Sequence, residues 1–318
     1  MQKILIYEYI TGGGLINEAL TSHLLPEANL MMKSLNNNFR LSGKTSHRYF
    51  EDYRLNLLQQ KNKIIIKNSK KIYDINFLKK FDAVLPIIPE NNLELYKYIK
   101  FLEDNNIGVI ASDSQTVLIL SDKLQFYNFC KQHSINTIET YDVNDYKRLK
   151  STNNYIIKDR YGAGCSYVRF QKKLLAKDIL SHAKRVVQPF IKGTPYSLCL
   201  YFTNDSYIFL SLNRQILTQD KNGFINLKRI IVNSNDIHQL EIVRFLSKLK
   251  ISLPGLKGYV GIDFIYDKSK ITVVEVNPRL TTSFIGIYET IGVNYADLVI
   301  NNNVFKKSIS GKKYLVYV

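Results

Sequence analysis

Val273-Val274-Glu275-Val276-Asn277-Pro278-Arg279 is the stretch on which the reading of this chain turns. Three valines mark a buried strand, and the proline closes it. Glu275 and Asn277 stand two apart, so on a strand they share a face. Upstream, Gly261-Ile262-Asp263-Phe264 reads as a neighbouring strand, joined through Asp267-Lys268-Ser269-Lys270. If that hairpin pairs through its short turn, Asp263 joins the face of Glu275 and Asn277. Two acids and an amide pointing inward among valines are costly without a cation or other partners. Three oxygen donors on one rigid face suit Mg²⁺, which takes carboxylates, waters and substrate phosphates. Arg279, just beyond them, is placed to hold a transferring phosphoryl group. The plainer alternative for it is a surface arginine after a strand-ending proline.

Working back along the chain, Lys158 ends a strand at Tyr155–Lys158, and Tyr161-Gly162-Ala163-Gly164-Cys165-Ser166 follows as a small-residue turn. Backbone N–H groups of such a turn can cradle phosphate while the lysine neutralises it; a simple hairpin turn is the alternative. Val186-Val187-Gln188-Pro189-Phe190-Ile191 is an apolar strand with one polar residue, either a core strand or a hinge that sandwiches a purine. Further strand signals at 196–202, 207–216 and 224–232 make this half an antiparallel sheet, followed by a helix over 236–250.

The first third has a different texture. Ile4–Ile10 reads as a buried strand ending in Thr11-Gly12-Gly13-Gly14. Helical spacing from Ile16 to Leu35 is interrupted by Pro26, a break or kink. Residues 36–74 are polar and irregular, with one strand-like run at Ile64-Ile65-Ile66. A strand at 82–88, a helix at 92–103 and a strand at 107–110 complete a small parallel α/β unit. One long helix is expected over 115–133.

Composition narrows the function class. The 318 residues are 45% apolar and 22% charged, without an apolar run of the ~20 residues that cross a bilayer. The short N-terminal run carries Glu8 and ends in glycines, which does not fit a secretory signal. Cys130, Cys165 and Cys199 are scattered, as are the five histidines, which argues against a zinc site or disulfide framework and fits the cytoplasm. The net charge of +17 could mean nucleic acid, but the lysines are spread through the chain with no stripe of interleaved aromatics. A positive field also draws in ATP and acidic substrates.

The order of these features, from Ser121-Asp122-Lys123 through the lysine and small-residue turn, the apolar strand, the Asp strand and the Glu-x-Asn-Pro-Arg strand, resembles the ATP-grasp superfamily. The resemblance implies a mixed α/β fold: a small Rossmann-like N-terminal domain (1–112), a central lid lobe (113–191) and a C-terminal lobe with the metal site (192–318), the two β-rich lobes clamping ATP. It implies that Lys123 and Lys158 touch ATP, that Gln188, Pro189, Phe190 and Ile191 line the adenine pocket, and that Asp263, Glu275 and Asn277 hold one or two Mg²⁺, with Mn²⁺ as a substitute. Two departures stand out. Lys158-Asp159 replaces the family's usual Lys-Pro, and Gly193-Thr194-Pro195-Tyr196-Ser197 lies where many members carry a ribose-binding glutamate.

Glu8 to Leu15, Pro86-x-x-Pro89-Glu90, Gly193-x-Pro195-x-Ser197, Asn213-Arg214-Gln215 and Asn277 to Ser283 look similar to the tyramine–glutamate ligases of methanofuran synthesis within that superfamily. This implies in-line attack of a carboxylate on the γ-phosphate of ATP and transfer of the acyl group to an amine, both small molecules. Lys158 and Arg279 would stabilise charge in transfer and Arg214 would hold the carboxylate. Glu8, Gly12, Gly13, Gly14, Thr282 and Ser283 would face the substrate. Homodimers are common in the superfamily. The competing expectations are a peptide ligase of the D-alanine–D-alanine type, a basic nucleic-acid-binding protein and a nucleotide-binding regulator without turnover.

Overall fold

The computed structural model describes residues 1–20, 24–56, 61–148, 154–164, 167–172, 184–234, 237, 239–267, 270–301 and 312–318. Cys165 and the Lys268-Ser269 turn lie outside the described residues.

The N-terminal sheet is parallel. Strand β1 (Gln2–Glu8) runs between β2 (Thr45–Asp52) and β4 (Ala83–Ile87), and β3 (Lys63–Ile66) pairs with β2 at the edge. Ile4, Leu5 and Ile6 of β1 are all fully buried, as expected for a central strand covered on both faces. Helix α1 (Leu25–Ser42) connects β1 to β2. Pro26 begins this helix and does not interrupt it, because its fixed φ and missing N–H suit the first turn. Residues 36–74 are more regular than their polarity suggests: they hold the end of α1, then β2 and β3. Polarity hid β2, whose Glu51 and Asp52 are fully buried. Each has a cation: Lys63 lies 2.9 Å from Glu51, and Arg54 lies 2.6 Å from Asp52. Helix α2 (Ile75–Leu78) precedes β4, and α3 (Glu94–Asp104) follows it. The expected strand at 107–110 is reduced to a single bridge, Val84 to Val109.

The helix expected over 115–133 is two helices, α4 (Ser114–Ser121) and α5 (Lys123–Gln132). Asp122 separates them. Its backbone is extended, and its carboxylate accepts the N–H groups of Leu124 and Gln125, capping α5. The same carboxylate receives Arg160 through two bonds, at 2.8 and 2.6 Å. This fully buried group therefore fastens α5 to the next lobe.

That lobe is a four-stranded antiparallel sheet ordered β5 (Tyr141–Asp142), β8 (Arg185–Pro189), β6 (Tyr155–Asp159), β7 (Val168–Gln171). A six-stranded sheet follows: β9 (Thr194–Phe202), β10 (Tyr207–Gln219), β11 (Ile225–Val232), β12 (Gly258–Asp267), β13 (Lys270–Asn277) and β14 (Tyr314–Tyr317). Its order is β13-β12-β9-β10-β11-β14, antiparallel throughout. Strand β14, not expected from sequence, closes one edge. Helix α6 (Gln239–Ser252) covers one face; α7 (Ile287–Ile291) and α8 (Tyr295–Asn301) follow the 3-10 turn Thr282–Gly286.

One core joins the first and last sheets. Ile4, Ile6, Met32 and Phe39 pack in the same apolar cluster as Tyr201, Tyr259, Phe284 and Tyr295. Among the described residues of the four-stranded lobe, the buried cluster centres on Ile157 and Val187. Among the described residues, no helix is long and apolar enough to cross a membrane.

Removing one partner of a buried, hydrogen-bonded ion pair is strongly destabilising. Asp122→Ala also removes a helix cap, so a loss of about 3 kcal/mol is expected in urea unfolding. Burial pushes the Asp122 carboxyl up, but the hydrogen bonds and charge of Arg160, with the two capping N–H groups, outweigh it and hold it below the ordinary value. Its stabilisation is therefore complete above the unfolded value of about 4 and is lost as pH falls through the lowered folded value. Asp122→Ala should flatten the acid limb of the stability curve.

Candidate active site

The β12–β13 hairpin forms with Asp263 directly opposite Glu275 and Gly261 opposite Asn277. Ile262 and Val276 take the other face, into the core. Immediately after Asp263 the register shifts, and Phe264 pairs with Val273. This bulge leaves Val274 as the extra residue, and Val274 and Glu275 both line the same cavity, which strict alternation would not allow.

That cavity has a volume of about 520 Å³. Asp263 receives Gln215 Nε2 at 2.8 Å and Asn277 Nδ2 at 3.2 Å. Gln215 reaches across β9, where the small Ser197 stands opposite Asp263. Removal from water, with the facing Glu275 charge, pushes the Asp263 carboxyl up to about 8. Glu275 goes the other way. Burial alone would raise it, but the charges of Lys123 and Lys158, a hydrogen bond with Asp263 and the charge of Arg279 hold it below its ordinary value. The shared surroundings thus shift the two acids in opposite directions.

Lys123, the first residue of α5, lies 3.8 Å from Glu275 and donates to the carbonyl of Gly162. Lys158, on β6, is 5% exposed and lines the cavity. Gly162, Ala163 and Gly164 line it too; Gly164 has a φ of +62°, which suits glycine in a tight turn. The Ala163 N–H is held by Asn91 Oδ1 at 2.8 Å, so the N-terminal unit touches this turn directly. Gln188, Pro189, Phe190 and Ile191 form a further wall. Gln188 is anchored by a 2.7 Å bond from Nε2 to Thr140, and Phe190 packs edge-on against Phe170.

Arg279 lines the cavity, but its guanidinium is engaged. Nε and Nη2 grip Glu90 at 3.0, 3.1 and 2.8 Å, and Nη1 donates to the Leu280 carbonyl. Glu90 follows β4, so this fork binds the N-terminal unit to the end of β13. Thr282 and Ser283 also line the cavity; the Ser283 hydroxyl is 3.3 Å from that of Ser197, and Thr282 donates to Glu27 on the first turn of α1.

Other expected site residues lie elsewhere. Arg214 is exposed and does not line the cavity. Alternation along β10 explains this: Asn213 is fully buried, so Gln215, two residues on, shares its face and Arg214 points away. Glu8 is buried against its own turn, accepting the Ile10 and Thr11 N–H groups and the Thr11 hydroxyl. Gly12, Gly13 and Gly14 build that turn, and the Gly12 N–H returns to the Glu8 carbonyl. A Cβ at Gly12 would meet that carbonyl at 2.4 Å. None of these four residues lines the cavity.

Among the described residues, no three His, Cys, Asp or Glu side chains gather as a metal centre. The donor set is therefore two carboxylates and one amide. Two acids facing each other on a rigid hairpin, with lysines nearby, fit a hard divalent cation beside a polyphosphate.

The family model for the ATP-grasp domain matches residues 120–283, and the chain belongs to the ATP-grasp family. Tyramine–L-glutamate ligase from Methanocaldococcus jannaschii is 27% identical, over 99% of this chain and 95% of that protein. An ATP-grasp superfamily protein from Archaeoglobus fulgidus shares the fold at a TM-score of 0.78 and 24% identity, covering 100% of this chain and 92% of that one. L-amino acid ligase from Bacillus licheniformis superposes at a TM-score of 0.66 with 18% identity, covering 95% and 74%.

The Glu90–Arg279 fork yields a test of how the units are joined. Glu90→Ala strands a largely buried guanidinium and should cost about 3 kcal/mol in denaturant unfolding. The double variant Glu90→Ala/Arg279→Met should cost less than the two single losses added together, because neither charge is left without its partner.

Proposed function

We propose that this chain is an ATP-dependent ligase that activates a carboxylate as an acyl phosphate and passes the acyl group to an amine. The observation that carries this reading is the Asp263–Glu275–Asn277 face, set opposite Lys123 and Lys158 in one cavity with the 188–191 wall. Full-length similarity to tyramine–L-glutamate ligase refines the reading to L-glutamate as the acid and an arylalkylamine such as tyramine as the acceptor.

Asp263, Glu275 and Asn277 would hold Mg²⁺, with Mn²⁺ as a substitute. A cation held there would supply Lewis-acid chemistry and neutralise phosphate charge. The chain's own groups do the rest largely by position and charge. Pro189, Phe190 and Ile191 receive the adenine. Lys123 and Lys158 face the phosphates, and the Gly162–Gly164 turn covers them, excluding water from the acyl phosphate. Arg279 adds its charge from where Glu90 holds it.

In the first step a carboxylate oxygen bonds to the γ-phosphorus while the bond to the ADP oxygen breaks. In the second, the free-base amine nitrogen bonds to the acyl carbon, the carbon–oxygen bond to phosphate breaks, and the proton from nitrogen passes to the departing phosphate. We also propose domain limits of 1–112, 113–191 and 192–318, since each sheet falls within one of these segments. A cytoplasmic setting belongs to the same reading; Cys130 and Cys199 are free and buried.

Glu275→Gln should keep the fold, shown by an unchanged circular-dichroism melt, and abolish amine-dependent ADP release. Full turnover by this variant at low Mg²⁺ would remove the metal assignment. Lys158→Ala should weaken ATP binding by about tenfold or more in calorimetry; unchanged affinity would count against its role.

A further inference from the structure

Besides the acid pair Asp263 and Glu275, two carboxylates line the cavity: Asp159, which is paired with Arg185 at 3.3 Å, and Glu27. Glu27 stands on the first turn of α1 and accepts a hydrogen bond from the Thr282 hydroxyl. Among the described residues, none of the ion pairs includes it. The nearby Arg279, whose charge interacts with Glu27, is gripped by Glu90.

The position of Glu27 is defined through the 3-10 turn Thr282–Gly286. Thr282 binds Glu27, and the next residue, Ser283, contacts Ser197, the β9 neighbour of Asp263. The carboxylate is therefore tied, through two adjacent residues, to the strands that carry the acid pair. The same turn packs on α1, β11 and β14. Apolar side chains from these elements line the cavity: Leu24 just before α1, and Leu227 and Ile230 from β11.

An anionic substrate is drawn to Lys123, Lys158 and a cation, and repelled by Glu27. A protonated amine has the opposite preference. We propose that Glu27 is the receptor for the ammonium of the acceptor substrate, and that Leu24, Leu227 and Ile230 receive its apolar body. The ammonium gains a charge-assisted hydrogen bond to a partly buried carboxylate, and the organic body gains burial. This subsite rests on the ligase reading, and it explains the pairing of one carboxylate with an apolar wall: that combination fits an arylalkylamine and not glutamate, which has no apolar end.

The test uses the full chain with ATP, Mg²⁺, L-glutamate and tyramine, comparing wild type with Glu27→Gln and Leu227→Ala. Glu27→Gln should raise KM for tyramine by about tenfold or more, with KM for glutamate and ATP changed by less than about twofold. Leu227→Ala should raise KM for tyramine but not for ethylamine, which lacks the ring. An unchanged tyramine KM in Glu27→Gln overturns the assignment, and so does a shift confined to glutamate. Calorimetric titration of tyramine in the presence of a non-hydrolysable ATP analogue separates the two proposals. If wild type binds tyramine, Glu27→Gln does not, and wild type releases no ADP, then the receptor stands and the ligase reading falls. Equal binding by both proteins, or no binding of tyramine by wild type, overturns the receptor.

Discussion

Two carboxylates face each other across the β12–β13 hairpin, and the surrounding structure is arranged around the cost of keeping them there. Like charges at a cross-strand position repel, and removal from water adds to the penalty. Burial and the facing Glu275 charge raise the Asp263 carboxyl, which takes hydrogen bonds from Gln215 and Asn277. Glu275 is kept ionised by lysines from two other elements, α5 and β6. The pair and the lysine field around it are the features on which the proposed divalent-cation site rests.

Fixing this pair requires three parts of the chain to meet. The β9–β12 pairing supplies the small Ser197 that leaves room for Gln215. Asp122 fastens the start of α5, and with it Lys123, to Arg160 beyond β6. The segment after β4 reaches two lobes through neighbouring residues: Glu90 grips Arg279, and Asn91 holds the Ala163 N–H. Positive φ at Asn92 (51°) and Leu93 (63°) bends this segment, an unusual conformation for leucine that the contacts on either side sustain. Among the described residues, the buried cluster of the four-stranded lobe is separate from the core shared by the other two sheets.

Where sequence reading succeeded and failed follows the range of the forces involved. Buried runs such as Ile4–Ile6 and Val273–Val276 announce strands because their apolarity is local. Strand β2 was missed because Glu51 and Asp52 look exposed until Lys63 and Arg54 are seen beside them. The long helix over 115–133 looked continuous because Asp122 is a tolerable residue on a solvated helix; its capping bonds and Arg160 divide it in two. Pro26 read as a break because its position relative to the helix start could not be judged from spacing alone.

By itself the sequence determined that Glu275 and Asn277 share a face, that a lysine precedes a small-residue turn, and that both belong to a chain with a parallel α/β beginning and an antiparallel remainder. Those are consequences of backbone periodicity over a few residues. Only the tertiary structure decided that Gln215 and not Arg214 turns toward Asp263, because the phase of β10 is set by what it packs against. It likewise decided that Glu8 serves its own turn, that Arg279 is bound by a residue 189 positions away, and that Glu27 stands in the cavity wall. Such partnerships arise when separate elements share a core, and no local pattern encodes which charges will then be neighbours.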